Sequence, residues 1–308
     1  MNLRARAWQH SRSFTHGCFD PQRLAAEREL SVSVCLPARN EERTIGPILE
    51  AVMPLREMGL VDQVVVVDDS TDETAAIARG LGAEVHAQAA LWPQLGPVLG
   101  KGDAMWRALS ALRGELICFL DADSERFGAH YVYGLLGPLL RDSDVSLVKG
   151  CYRRPLRLGG LTFPDGGGRV TELTARPLIN LFYPDLAAIE QPLAGEVAAR
   201  RELLERLPFV TGYGVDIALL LDAYQVLGLD GLAQVDLDVR QNAHQPLHDL
   251  GPMAHAVLRA VAARLERDGR LNGPLPAELA APAGPGELMT ACEDAAERPP
   301  LATLRAAA

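Results

Sequence analysis

Lysine is almost missing from this chain. Lys101 and Lys149 are the only two among 308 residues, and the remaining basic side chains are arginine. Coding bias toward arginine accounts for such a composition, and a lysine that survives it becomes a candidate for a role. Positive charge is short overall: 30 basic against 40 acidic residues leave a net charge of −10. That argues against general nucleic-acid binding, which needs a basic surface to meet phosphate. No run of about 18 apolar residues occurs, so no membrane-spanning helix is expected. The opening MNLRARAWQHSRSF is polar and lacks the apolar core of a signal peptide. The five cysteines (Cys18, Cys35, Cys118, Cys151 and Cys292) form no CxxC pair. They read as buried free thiols of a protein in the reducing cytoplasm.

What is present is enough apolar matter for a packed core: 48% hydrophobic against 23% charged residues. The length suits one large α/β domain, or one with a smaller appendage. Apolar strand-like runs and helical segments alternate from residue 32 onward. Strands are expected at 32–36, 63–67, around Val85 and at 115–120, with helices at 45–58, after Asp72 and at 102–112. The run of valines at 64–67 suits a parallel strand covered on both faces. The alternation predicts an open, mostly parallel sheet with helices on both faces. A helix at 129–140, strands at 145–149, 194–199 and 232–239, and helices from 170 and over 213–226 extend the unit. An N-terminal arm, with a short helix near 21–30, precedes it. The Ala-, Pro-, Gly- and Glu-rich stretch from 272 reads as loosely ordered.

In open parallel sheets ligands bind at the carboxyl ends of the strands. Three such ends carry polar groups, namely Asn40 and Glu41, Asp68 and Asp69, and Asp121 and Asp123, and they are expected to converge on one cleft. Asp121-Ala122-Asp123 is the most recognisable of them. Residues i and i+2 of an extended segment face one side, so two hard carboxylates are presented together. They suit Mg²⁺ or Mn²⁺ completed by diphosphate oxygens and water. The plainer alternative is a solvated turn. Asp68 and Asp69 stand where a strand end can meet ribose or base; capping the next helix is the plainer alternative. Lys101 sits in a Gly-Lys-Gly turn at a helix start, where cation and backbone N–H groups can meet diphosphate. It is not a P-loop, since Gly102 replaces the required Ser or Thr.

The block Gly166-Gly167-Gly168-Arg169-Val170-Thr171 is the second strong feature. Glycines let the backbone approach a ligand, and the following helix start offers free N–H groups. Arg169 adds a planar fork and Thr171 a hydroxyl, a set suited to an acidic acceptor; the alternative is a flexible surface loop. Arg153, Arg154 and Arg157 could reinforce that site, but read more readily as a solvated basic face or sheet-edge contacts. His244 and His248 follow a late strand with Asn242 nearby, and a third metal ligand is expected from there.

The blocks LPARNEE (36–42), VVDDSTDET (66–74), GKGDAMWRAL (100–109), FLDAD (119–123), VKGCYRRP (148–155), GGGRVTELTARPL (166–178), QPLAGE (191–196) and GYGVDIALL (212–220) together resemble the glucosyl-3-phosphoglycerate and mannosyl-3-phosphoglycerate synthases, a family of retaining glycosyltransferases. The likeness runs from about residue 31 to 251. It implies an α/β GT-A fold, a Rossmann-like sheet with an acceptor-binding subdomain. Residues 31–125 would be the nucleotide-sugar half and 126–271 the acceptor half, flanked by the arm 1–30 and the tail 272–308. It implies a cytoplasmic homodimeric enzyme using Mg²⁺ or Mn²⁺, with an NDP-sugar donor and 3-phosphoglycerate as acceptor, and neither nucleic acid nor membrane as partner. Glucose from UDP-glucose is the favoured donor sugar and mannose from GDP-mannose the alternative.

By the same resemblance Pro37, Ala38, Asn40, Glu41 and Asp69 border the nucleotide. Lys101 faces the diphosphate, with Asp121 and Ala122 beside it, and Asp123 is the direct metal ligand. Gly168, Arg169 and Thr171 hold the acceptor phosphate, with Arg240 and Asn242 on the acceptor side. Leu193, through its carbonyl, Tyr213 and Asp216 place sugar and acceptor hydroxyl. The chain departs from the family pattern in three places. Ala122 stands for a serine, Asp216 for a glutamate, and Val239-Arg240-Gln241-Asn242-Ala243-His244 for V-R-x-H-x-N. His244 is therefore the expected metal ligand and Asn242 the fallback. A double displacement needs a carboxylate beneath the anomeric carbon, and the QPLAGE block offers at most Glu196. Front-face transfer is expected instead. Rival readings are a polyprenyl-phosphate glycosyltransferase, a nucleotidylyltransferase and a non-catalytic sugar-nucleotide-binding protein.

Overall fold

A computed structural model describes residues 3–158, 161–163, 166–241, 245–273, 278–284, 287–292 and 296–306. The chain opens with α1 (Leu3–Arg12), β1 (Ser13–Thr15) and α2 (Pro21–Glu27), the last begun by Asp20, whose carboxylate accepts from the Arg23 N–H at 2.8 Å. The alternating half follows as β2 (Val32–Ala38), α3 (Ile45–Glu57), β3 (Gln63–Asp68), α4 (Thr74–Gly80), β4 (Glu84–Ala87), α5 (Lys101–Ala108), β5 (Leu116–Phe119), α6 (His130–Arg141) and β6 (Leu147–Arg153). A small hairpin, β7 (Leu156–Leu158) and β8 (Leu161–Phe163), leads into a π-helical segment, Thr171–Ala175, and α7 (Arg176–Phe182). Then come β9 (Val197–Arg200), α8 (Arg201–Arg206), β10 (Phe209–Val210), α9 (Val215–Leu227), β11 (Leu232–Val239) and α10 (Leu250–Arg267). Beyond them lie β12 (Glu278–Gly284), β13 (Glu287–Cys292), β14 (Glu297–Arg298) and α11 (Leu301–Ala306).

Eight strands form one sheet in the order β1-β11-β6-β9-β5-β2-β3-β4. All neighbours are parallel except at β9, which runs antiparallel to both β5 and β6. The two-residue period of the strands divides the core. Cys35, Val65, Val67, Ile117 and Phe119 face one apolar cluster with Met105 and Trp106 of α5. Val34, Leu36, Val64, Val66 and Cys118 face the other, with Ile48 of α3 and Leu135 of α6. Both faces are covered, which is why these strands read as unbroken apolar runs.

Two segments differ from expectation. The arm contributes an edge strand, β1, that pairs with β11. The end of the C-terminal stretch packs tightly where loose order is expected. β14 pairs with β10, Arg298 grips the Asp103 carboxylate at 2.7 and 3.0 Å, and Leu301 is fully buried. Composition reads flexibility there because it cannot register individual anchors. Cys35, Cys118 and Cys151 are buried free thiols, whereas Cys18 is exposed, contrary to expectation. No helix among the described residues is long and apolar enough to cross a membrane.

Candidate active site

Parallel strands deliver their carboxyl ends to one edge of the sheet. The antiparallel β9 delivers its amino end there, which is how the 191–196 turn joins residues from β2, β5, β6 and β11. A cleft of about 890 Å³ opens at this edge. Pro37, Asn40 and Glu41 line it from β2, Asp121, Ala122 and Asp123 from β5, and Arg240 from β11. Lys101 from the start of α5, Leu193, Tyr213 and Asp216 line it too, as do Gly168, Arg169 and Thr171. Residues more than 200 positions apart are thus brought to one place.

Asn40 shapes the cleft rim at the ends of β2 and β3. Its φ of 59° is left-handed, a conformation asparagine tolerates better than most residues. Its side-chain oxygen accepts from the Thr71 N–H at 2.9 Å, and its own N–H donates to Ser70 Oγ at 2.8 Å. The ends of β2 and β3 are therefore stitched together. Asp69 and Ala38 lie at this seam but outside the cleft lining; the Asp69 N–H donates to the Ala38 carbonyl at 3.0 Å. Asp72 bonds the Thr74 N–H at the start of α4. Burial raises the pKa of Glu41, the Thr44 hydroxyl opposes the rise, and Asp123, Asp72 and Asp121 add to it.

The floor of the cleft is an ion-pair network. Lys101 Nζ lies 2.7 Å from Asp121 and 3.0 Å from Asp216. Arg240 reaches Asp121 at 2.9 Å, Asp123 at 2.6 Å and Glu196 at 2.9 Å, with its guanidinium over the Tyr152 ring. The Tyr152 hydroxyl donates to Glu196 at 2.8 Å. Burial alone would favour protonated Asp121, but Lys101 and Arg240 outweigh it and hold the carboxyl far below its usual range. Asp216 is pushed up by burial and pulled back by Lys101 and Lys149. Burial, with help from Asp216, pushes the Tyr213 hydroxyl up to about 12. Lys101, Lys149 and Arg240 thus face three enclosed carboxylates, Asp121, Asp216 and Glu196. Asp123, the fourth carboxylate, also pairs with Arg240, and with its side chain 43% exposed it is the most accessible of the four.

On the opposite wall Gly168 has φ +71°, a left-handed turn that suits glycine. The Gly167 N–H donates to the Arg154 carbonyl at 2.8 Å, which ties the glycine block to the end of β6. Arg169 donates to the Gln245 carbonyl at 2.6 Å. The widened π-helical segment begins at Thr171, a distortion that recurs at functional sites. Of the basic residues at 153–157, Arg153 fits a solvated face, exposed and paired with Asp238 at 2.7 Å, whereas Arg154 lines the cleft with the glycine block, the alternative placement. Glu196 is fully buried and outside the cleft lining, so the 191–196 turn supplies no carboxylate at the cleft surface. His248 is exposed beside Asp249.

Asn242 and His244 lie outside the described residues. Among the described residues no cluster of three or more His, Cys, Asp or Glu side chains could hold a metal. The donor that is described does fit a hard divalent cation. Asp123 offers carboxylate oxygen at the surface of an otherwise balanced network, and such ions take few protein ligands when phosphate oxygens complete the shell. The sequence offers Lys149 only as a lysine that survives the arginine bias and Glu196 only as a candidate nucleophile, and it does not single out Tyr152, because nothing in an apolar strand or a turn advertises a buried ionic partner.

Comparison with known proteins places this geometry. The model of the Glycosyl transferase family 2 matches residues 33–155. A glucosyl-3-phosphoglycerate synthase of Mycolicibacterium smegmatis is 48% identical over 78% of this chain and 79% of its own length. The crystal structure of a mannosyl-3-phosphoglycerate synthase from Rubrobacter xylanophilus superposes with a TM-score of 0.90 at 45% identity, covering 97% of this chain and 98% of that one. That of glucosyl-3-phosphoglycerate synthase from Mycobacterium tuberculosis, in complex with Mn²⁺, UDP-glucose and phosphoglyceric acid, gives 0.81 at 39% identity over 95% and 96%.

Proposed function

The chain belongs to the glucosyl-3-phosphoglycerate synthase family of glycosyltransferases, and we propose that it moves glucose from UDP-glucose to the 2-hydroxyl of 3-phosphoglycerate, with retention at the anomeric carbon. The fold is of the GT-A type. The observation that carries the reading is the shared cleft. The acidic triplet and Lys101, chemistry for a nucleoside diphosphate, line the same cavity as the Gly168–Arg169–Thr171 turn, chemistry for a phosphorylated acceptor.

In this reading Pro37, Ala38, Asn40, Glu41 and Asp69 border the nucleotide, and Lys101 meets the diphosphate. Asp121 serves as a rigid anion between Lys101 and Arg240, and Ala122 is a permissive spacer. Gly168, Arg169 and Thr171 take the acceptor phosphate, with Arg240 and Asn242 toward the glycerate. Leu193, Tyr213 and Asp216 wall the sugar. Asp123 and His244 would hold Mg²⁺ or Mn²⁺; crystal structures of the glucosyl-3-phosphoglycerate synthase from Mycobacterium tuberculosis are in complex with Mn²⁺ or with Mg²⁺ together with UDP. Bound there, the ion would neutralise charge growing on the diphosphate leaving group.

Front-face transfer suits a cleft in which Glu196 is buried behind Arg240. The bond from the anomeric carbon to the UDP β-phosphate oxygen breaks, and a bond to the acceptor oxygen forms on the same face. The acceptor hydroxyl proton passes to the departing phosphate. Trapping a covalent sugar on Asp216 or Glu196 would overturn this route. The deciding experiment combines purified protein, Mg²⁺ or Mn²⁺ and 3-phosphoglycerate with UDP-glucose, GDP-glucose or GDP-mannose in separate reactions. Product from UDP-glucose is expected to dominate, and no transfer from any donor overturns the assignment. We also place the protein in the cytoplasm, and as a homodimer, a stoichiometry that light scattering on the purified chain tests.

A further inference from the structure

Of the two lysines in the chain, Lys101 is absorbed by the donor site and Lys149 is not. Lys149 lies in β6, is 2% exposed and does not line the cleft. A buried ammonium is expensive unless it is paired and hydrogen-bonded. Its Nζ donates to the carbonyl of Ala194, the residue after Leu193 in the 191–196 turn. Asp216 is the carboxylate that attracts it most, followed by Glu196 and Asp121, with Lys101 repelling it. Burial draws its pKa down to about 8, and Asp216 limits the fall. Lys149 is also one of the two cations that Asp216 feels most. The ammonium is therefore linked to two of the three groups read as the sugar wall, to Leu193 through the turn and to Asp216 through charge. It holds the turn bearing Leu193 by a backbone oxygen, and its charge acts on Asp216 alongside that of Lys101.

The turn it grips has little freedom to compensate. Gly195 is pressed against Asp121, and Glu196 is fastened to Arg240 and Tyr152. Of the turn's remaining members, Ala194 is tied to β6 by the Lys149 bond.

We propose that Lys149 is a positioning residue for the transfer step: through the Ala194 carbonyl and the charge of Asp216 it fixes the wall against which the donor sugar lies. The inference rests on the reading of Leu193 and Asp216 as sugar-contacting groups. Lys149 touches no substrate itself. Its loss is expected to act on the sugar half of the donor and to leave the UDP half alone.

The test measures, for wild type, Lys149→Met and Lys149→Gln, the affinities for UDP and UDP-glucose with Mg²⁺ and the kcat with 3-phosphoglycerate. Lys149→Met is expected to lower kcat at least tenfold. It should also shrink the affinity advantage of UDP-glucose over UDP, while UDP affinity stays within twofold. Lys149→Gln, which keeps a donor for Ala194 without the charge, is expected to fall between, and it carries the comparison alone if the methionine variant does not fold. Two results overturn the proposal: unchanged kcat and donor preference, or an equal loss of UDP and UDP-glucose affinity as general damage would give. Wild-type protein that transfers no glucose overturns the functional reading, and this inference with it. An active wild type beside indifferent variants overturns this inference alone.

Discussion

A β-carbon on Gly195 would lie 2.2 Å from one carboxylate oxygen of Asp121 and 2.3 Å from the other. Only glycine lets the 191–196 turn pass so close to the acidic triplet. Gly195→Ala is expected to displace Asp121 from between Lys101 and Arg240, and misplacement of about 1 Å can cost about a hundredfold in rate. Steady-state kinetics with a thermal melt test this. A variant with near wild-type kcat would show that the Asp121 position is not critical.

Metal dependence should follow Asp123. Chelation is expected to abolish transfer, and added Mn²⁺ or Mg²⁺ to restore it. Asp123→Asn should weaken Mn²⁺ binding in the presence of UDP by at least about tenfold, a loss typical of disturbed metal sites. His244→Ala should do the same and Asn242→Ala much less. Electron paramagnetic resonance titration of free Mn²⁺ reads all three, and the opposite order of the last two makes Asn242 the ligand.

Arg169 should govern the acceptor. Hydrogen bonds to charged groups are worth about 1.5–3 kcal/mol, so Arg169→Ala is expected to raise the KM for 3-phosphoglycerate by on the order of ten- to a hundredfold. The Kd for UDP should remain unchanged. Equal losses on both sides of the cleft would count against an acceptor role.

The C-terminal anchor should show in acid. Burial alone would raise the pKa of Asp103, but bonds from Arg298, the Leu99 N–H and Arg107 outweigh it and hold it below its usual value. A depressed carboxylate contributes stability above its unfolded pKa of about 3.9, and that contribution is lost as pH falls through the folded value. Asp103→Asn should therefore lower Tm most at neutral pH. The difference from wild type should narrow below about pH 4. A pH-independent difference would assign the anchor to packing by Leu301 and Trp106 instead.

Much of the molecule is legible along the chain. The valines of β3, the alternation through β5 and the polar strand ends are local patterns, and the structure bears out the α/β sheet they imply. The triplet 121–123 and the glycine block 166–171 also stand out, because close backbone approach and hard oxygen donors need particular residue types at short spacing. The edge strand β1 and the packed end at Arg298 and Leu301 leave no such trace. A three-residue strand has no period to detect, and the Asp103 partner of Arg298 is 195 positions away.

The sequence by itself determined the kind of sheet, the chemistry of each strand end and the family resemblance, since all three rest on residue type and short spacing. Tertiary structure alone decided how these charges are shared. Because β9 runs against its neighbours, it brings the 191–196 turn onto Asp121, hides Glu196 behind Arg240 and sets Lys149 beneath Ala194. Whether a carboxylate is a ligand, a counter-ion or a buried brace depends on which cation the fold places within about 3 Å of it and how much water it excludes, and neither is written in the residue's own neighbours.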